Sequence, residues 1–146
     1  MATFSRSVEV DWTGPIMEGT GTANAGSGAF SLPVSFPSRI GDAAGKTSPE
    51  ELMAASHAAC YAMALNATVG KKGGSIGHTI VTATIVADKG DAGIKLTTSK
   101  LKVVAEGLEG IDKAQFADVA REAERNCPIS NALRGSLAIE LEAEVR

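Results

Sequence analysis

Aromatic residues and cysteines are scarce in this chain of 146 residues. Aromatics make up 4% of the sequence while hydrophobic residues make up 44%, so small side chains must do much of the packing. The only cysteines, Cys60 and Cys127, are too few and too far apart for the disulfide framework of a small secreted protein. Neither cysteine belongs to a Cys-x-x-Cys pair, the spacing that is typical of structural metal sites.

Blocks of one charge and an apolar leader are also missing. The net charge is -3 with the two signs interspersed, and the absence of a basic block argues against a nucleic-acid-binding surface. The first residues, MATFSRSVEVDW, lack the apolar stretch of a secretory signal. We therefore expect a cytoplasmic protein whose thiols are reduced.

The most apolar segment is SPEELMAASHAACYAMALNATV, residues 48–69. It has the length of a membrane span, but it is rich in alanine and is interrupted by polar residues, among them Glu50, Glu51 and His57. It therefore predicts a buried helix of a protein that does not cross a membrane. Ser48 is a natural N-cap, Glu51 three residues later completes a capping box, and Gly70 with the following KKGG run predicts the end of the helix.

The rest of the chain alternates between strand and helix patterns. Three short strands are predicted before residue 37, then a Gly-rich loop over residues 37–47 and the first helix. A hairpin around KGDAG follows, with a bulge or bend near Ser99, and then a second helix that Asp112 caps and that ends at Cys127. The terminal LAIELEAEVR alternates apolar and charged residues, as a half-buried strand does. This order predicts a single α+β domain over residues 1–146, with antiparallel sheets and two main helices.

Cys60 lies near the middle of the first predicted helix, where burial raises the pKa of a thiol. The helix dipole fades within the first turn, so a reactive Cys60 requires a cation from elsewhere. His57 lies three residues earlier on the same face and is either a hydrogen-bonded core residue or half of a Cys–His pair. Arg39 in the Gly-rich loop is the stronger candidate, with Glu50 available to hold it. The alternatives are a solvated loop charge for Arg39 and a helix-dipole partner for Glu50.

Two segments resemble the signature regions of a known family. PSRIGDAAGKTSPEELMAASHAACYAMAL, residues 37–65, and NCPIS, residues 126–130, are similar to those of the OsmC/Ohr family of osmotically inducible and organic-hydroperoxide-resistance proteins. The arginine placed after the N-terminal strands resembles the OsmC branch. Many OsmC proteins have an aromatic residue and an acid after that arginine, whereas Ile40 and Gly41 stand here.

The resemblance implies a thiol-dependent peroxidase that acts on hydroperoxides and is recycled by lipoyl-type dithiols. It also implies an intertwined homodimer with active sites at the interface, and no metal or haem. By position, Cys60 resembles the peroxidatic cysteine, Cys127 the resolving cysteine, Arg39 the activating arginine and Glu50 the carboxylate that holds it. These four residues are the predicted catalytic set.

Two features of the first helix agree with a dimer. Its apolar residues occupy every face, and one sheet covers only one side of a helix. Glu50 and Cys60 are ten residues apart, which corresponds to about 15 Å along a continuous helix. Glu50 and Arg39 would therefore serve the Cys60 of a second subunit.

Three other readings of the same residues stay open. The first is a non-catalytic binding or stress protein in which Cys60 serves only as a packed core residue. The second is a thiol hydrolase that uses Cys60 and His57. The third, a zinc site made of His57, Cys60, His78 and Cys127, lacks usable local spacing.

Overall fold

The computed structural model describes residues 1–146 and divides the chain into two compact units, Met1–Leu52 and Met53–Arg146. The fold is α+β, as predicted, with two three-stranded sheets and four helices. None of the helices has the length and apolarity that a membrane crossing demands. A single domain over residues 1–146 stays a prediction, and the two units are described in turn.

The first unit contains an antiparallel sheet and a short helix. Strands β1 (Val8–Thr13), β2 (Thr20–Ala25) and β3 (Ser31–Val34) form the sheet in that order, and they coincide with the three predicted strands. Helix α1 (Phe36–Ile40) occupies the start of the segment that we predicted as a loop. Ser35 caps it by accepting a hydrogen bond from the backbone N–H of Ser38, and a proline lies in its first turn. Arg39 therefore stands on a helix.

Helix α2 (Pro49–Lys71) is continuous and begins and ends where the sequence predicts. The hydroxyl of Ser48 accepts a hydrogen bond from the backbone N–H of Glu51, and this bond is one half of the predicted capping box. The other half is replaced, because the Glu51 carboxylate accepts a hydrogen bond from the Thr47 hydroxyl at 2.8 Å. Gly73 adopts a φ of 81°, which ends the helix with a left-handed turn.

The second unit is built on a three-stranded sheet in the order β4–β5–β6. Strands β4 (Ser75–Gly90) and β5 (Gly93–Glu109) form the predicted antiparallel hairpin. Its register shifts between Val86 and Ala87 opposite Thr97, two residues before the predicted bulge at Ser99. Strand β6 (Ala138–Val145) pairs with β5 in parallel, in contrast to the antiparallel pairing that we expected. The parallel pairing follows from the two helices that carry the chain back between β5 and β6.

Helix α3 (Lys113–Asn126) has the predicted capping box, with Asp112 and Gln115 bonding each other's backbone N–H groups. It ends at Cys127, as expected. Helix α4 (Pro128–Leu133) was not predicted from the sequence. Cys127 is its N-cap, and Pro128 lies in its first turn.

The core of the second unit forms between the sheet, α2 and α3. It contains Tyr61, Leu65 and Phe116, and the Tyr61 hydroxyl donates a hydrogen bond to the Ala120 carbonyl at 3.0 Å. The opposite face of α2 is exposed in the single chain, and Met63 on that face is 73% accessible. The helix therefore buries one side in its own chain and leaves an apolar side uncovered.

Candidate active site

The structure brings the two cysteines of the chain together in the second unit. Cys60 lies in the middle of α2 and is half-buried, whereas Cys127 lies at the junction of α3 and α4 and is fully buried. Both are free thiols. Burial raises the pKa of Cys60, and the neighbouring Cys127 thiol raises it further. Cys60 packs against the core that contains Cys127, so the two thiols are neighbours, and their catalytic roles stay predictions.

The first turn of α4 lies beside both sulfurs. The N–H of Ser130 donates to the Cys127 sulfur at 3.5 Å. The backbone of Ile129 is the one neighbour that lowers the pKa of the Cys60 thiol. No positively charged group is among the causes of this pKa shift, and the dependence of Cys60 on a cation from elsewhere stays a prediction.

Arg39 and Glu50 form an ion pair within the first unit. The Nε of Arg39 donates to both carboxylate oxygens of Glu50, at 3.0 and 3.1 Å, and Nη2 donates to one of them at 2.7 Å. These hydrogen bonds raise the pKa of Arg39 and lower the pKa of Glu50. The predicted contact between the two side chains is thus present, and Nη1 remains available to another acceptor. The Arg39 side chain keeps 29% of its surface exposed.

Arg39 also lines a largely apolar cavity of about 400 Å³ in the first unit. The other lining side chains include Trp12 from β1, Phe36 from α1 and Leu52 from α2. The cavity thus combines aromatic and aliphatic walls with a single guanidinium. Near Cys60 on α2, Leu65 is fully buried core and Met63 is exposed.

His57 is completely buried and hydrogen-bonded through both ring nitrogens. Its Nδ1 lies 2.6 Å from the hydroxyl of Ser99, and its Nε2 lies 2.7 Å from the hydroxyl of Ser130. Burial lowers the pKa of His57, so the ring is neutral near pH 7. Because both nitrogens are engaged by serines, this geometry favours the hydrogen-bonded core role over a Cys–His pair or a zinc ligand. His78 lies on the surface beside Glu106.

Three residues of this site were not predicted from the sequence: Ser99, Ile129 and Ser130. Ser99 is 42 residues and Ser130 is 73 residues from His57 along the chain, so no local pattern joins them. One signal was available for α4, because Pro128 directly after a capping residue is typical of a helix start.

Comparisons with known proteins agree with the resemblance. A family model described as OsmC-like protein matches residues 41–142. A peroxiredoxin OsmC of Escherichia coli strain K12 is 34% identical over 139 residues, covering 94% of this chain and 96% of that protein. An organic hydroperoxide resistance protein of Xanthomonas axonopodis pv. citri is 28% identical over 123 residues, covering 83% of this chain and 84% of that protein.

The fold is shared with a solved structure. The crystal structure of an organic hydroperoxide resistance protein OsmC from Legionella pneumophila superimposes with a TM-score of 0.77 at 23% identity, and the match covers 99% of both chains. The family model over most of the chain and the relative above 30% identity together show that this protein belongs to the OsmC-like protein family.

Proposed function

We propose that this protein is a thiol-dependent peroxidase that reduces organic hydroperoxides, and hydrogen peroxide less favourably. The observation that carries the proposal is the adjacency of the free thiols of Cys60 and Cys127 at the first turn of α4. The names of the relatives, a peroxiredoxin and a hydroperoxide resistance protein, support a redox role toward hydroperoxides. The cytoplasm is its proposed location, because the mechanism starts from reduced thiols.

Arg39 is the proposed activator of Cys60. The pKa of this thiol is raised in the chain by itself, and a guanidinium beside the sulfur would favour the thiolate. Glu50 holds Arg39 through three hydrogen bonds and leaves Nη1 to point at a sulfur or at a peroxide oxygen. The same guanidinium would stabilise the negative charge that develops on the leaving oxygen.

A second copy of the chain is the proposed source of this arginine. Glu50 and Cys60 lie ten residues apart on the continuous helix α2, a rise of about 15 Å. The apolar residues exposed in the single chain, such as Met63 at 73% and Val10 at 56%, supply surface for a homodimer. A sedimentation experiment at micromolar concentration tests this proposal, and a monomer would argue against it.

The cavity beside Arg39 supports the preference for organic hydroperoxides. Its walls, which include Trp12 and Phe36, suit an alkyl or aryl group, while Arg39 suits the polar hydroperoxide end. Hydrogen peroxide has no apolar group to bury there, so it gains less binding free energy.

The proposed reaction consumes one hydroperoxide and two thiols. The Cys60 thiolate attacks the O–O bond, which forms the sulfenic acid of Cys60 and releases an alkoxide that is protonated to the alcohol. The Cys127 thiol then attacks the Cys60 sulfur, an S–S bond replaces the S–O bond, and water leaves. A dithiol of the lipoyl type would reduce this disulfide by exchange and become a disulfide itself.

Stoichiometric oxidation followed by intact-mass measurement tests the function. One equivalent of cumene hydroperoxide should remove two hydrogen atoms from the protein, and a dithiol should restore them. Cys60→Ser should show no such change. The raised pKa of Cys60 in the single chain favours the alternative, a non-catalytic binding protein on the same scaffold. That alternative predicts slow alkylation of Cys60 near neutral pH and no oxidation by a slight excess of peroxide.

A further inference from the structure

A buried hydrogen-bond chain joins three elements of the second unit through His57. The histidine stands on α2, Ser99 on β5 and Ser130 on α4, and both hydroxyls lie within 2.7 Å of a ring nitrogen. His57 and both serines are fully buried. A buried polar group that loses its hydrogen-bond partner costs free energy, so the three side chains keep a defined relative geometry.

Ser130 connects this chain of hydrogen bonds to the thiols. Its hydroxyl bonds His57, and its backbone N–H donates to the Cys127 sulfur at 3.5 Å. The backbone of the preceding residue, Ile129, lies close enough to Cys60 to lower the pKa of its thiol. His57 and Cys60 lie one helical turn apart on α2. Helix α2 therefore contacts the first turn of α4 at two neighbouring residues, His57 beside Ser130 and Cys60 beside Ile129.

We propose that His57 is a positioning residue for Cys127, acting through the hydroxyl of Ser130. The His57–Ser130 hydrogen bond holds the first turn of α4 against α2 and thereby keeps the Cys127 sulfur within reach of Cys60. This inference rests on the proposed peroxidase function for its role in turnover. It assigns no proton transfer to His57.

The positioning matters because a sulfenic acid has two competing fates. Condensation with Cys127 forms the S–S bond and releases water. Attack by a second hydroperoxide instead adds another oxygen atom to Cys60, gives sulfinic acid and releases a second alcohol, and that product is not recovered by a dithiol. Condensation is intramolecular and depends steeply on geometry, whereas over-oxidation depends on the hydroperoxide concentration.

Ser130→Ala and Ser99→Ala form a matched pair of variants. Each removes one buried hydroxyl and one hydrogen bond to His57, but only Ser130 lies on α4. Intact-mass measurement over a series of cumene hydroperoxide concentrations gives the ratio of disulfide to sulfinic acid. We expect Ser130→Ala to become over-oxidised at concentrations about fivefold lower than wild type, the effect of losing one typical hydrogen bond. Ser99→Ala should change this concentration by less than about twofold, although both variants lose similar stability.

A second measurement needs no hydroperoxide. The equilibrium of the two thiols with a dithiothreitol redox buffer reports the effective concentration of Cys127 at Cys60. Ser130→Ala should shift it toward the reduced form by about fivefold, and Ser99→Ala should not. Ser130→Thr, which restores the hydroxyl, should recover the wild-type equilibrium. If Ser130→Ala does not fold, His57→Phe is the second variant, and it should give the same shift.

The two measurements separate this inference from the proposed function. If wild type resists cumene hydroperoxide but the thiol equilibrium shifts in Ser130→Ala, the peroxidase proposal fails and the positioning role stands. If Cys60 is oxidised normally but Ser99→Ala and Ser130→Ala move both readouts equally, His57 is only a structural residue and the inference is overturned.

Discussion

Arg39 donates three hydrogen bonds to the carboxylate of Glu50, eleven residues further along the chain, with donor–acceptor distances of 2.7, 3.0 and 3.1 Å. These hydrogen bonds fix the orientation of the planar guanidinium. A lysine at this position would not reproduce that arrangement. Glu50 stands in the first turn of α2, so the rigid helix fixes the carboxylate and the carboxylate fixes the arginine.

We expect Glu50→Gln to slow the oxidation of Cys60 about tenfold, because a neutral amide holds the guanidinium less firmly. The measurement is the rate of thiol loss with cumene hydroperoxide in a Cys127→Ser background. Glu51→Gln is the matched control, since Glu51 lies in the same turn but bonds Thr47 instead. Equal slowing in both variants would mean that general helix-dipole effects, and not the contact with Arg39, are responsible.

Cys127→Ser should leave the first oxidation of Cys60 intact and stop turnover after it. The sulfenic acid then lacks the adjacent thiol and proceeds to sulfinic acid as hydroperoxide is added. Intact mass should show a gain of two oxygen atoms in place of the loss of two hydrogens. Steady turnover with a dithiol at the wild-type rate in this variant would exclude Cys127 as the resolving cysteine.

Trp12→Ala should raise the KM for cumene hydroperoxide about tenfold and leave the rate with hydrogen peroxide nearly unchanged. The indole lines the cavity that contains Arg39, and removing it exposes the apolar part of the substrate to water. Val8→Ala is the control, because Val8 lies on the same strand outside the cavity lining. A parallel loss of activity with both peroxides would place the substrate elsewhere.

Acidification should destabilise the protein through His57. Burial lowers the pKa of this residue in the folded state, with the carboxylate of Glu124 opposing the shift, whereas the unfolded chain titrates near 6.5. Below about pH 6.5, His57 binds a proton in the unfolded state but not in the folded state. The free energy of unfolding therefore falls by up to about 1.4 kcal/mol per pH unit. This loss continues until the pH reaches the folded-state pKa.

Urea unfolding of the reduced protein between pH 7.5 and 5 measures this effect. His57→Gln should be less stable than wild type at pH 7.5 but should lose less stability on acidification. His78 is present in both proteins. Parallel stability curves for the two proteins would show that His57 is not responsible for the pH dependence.

Much of the secondary structure follows from local sequence chemistry. The cap at Ser48 and the glycine-rich end of α2 act within one turn, as does the Asp112–Gln115 box of α3, so their residues predict the helix bounds. At α1 and α4, a capping side chain followed by a proline in the first turn also predicts a helix start, although the helices are only five and six residues long. The parallel pairing of β6 depends on how the chain returns to the sheet, which the alternation within β6 does not encode.

The sequence by itself determined the family and the helix that carries Cys60, because motif and periodicity are properties of short segments. Only the tertiary structure decided that Cys60 meets Cys127 at the first turn of α4, and that both nitrogens of His57 are engaged by Ser99 and Ser130. Contacts between residues 42 to 73 positions apart arise from the packing of the helices on the sheet, which minimises exposed apolar surface and leaves no buried side-chain nitrogen or oxygen unpaired.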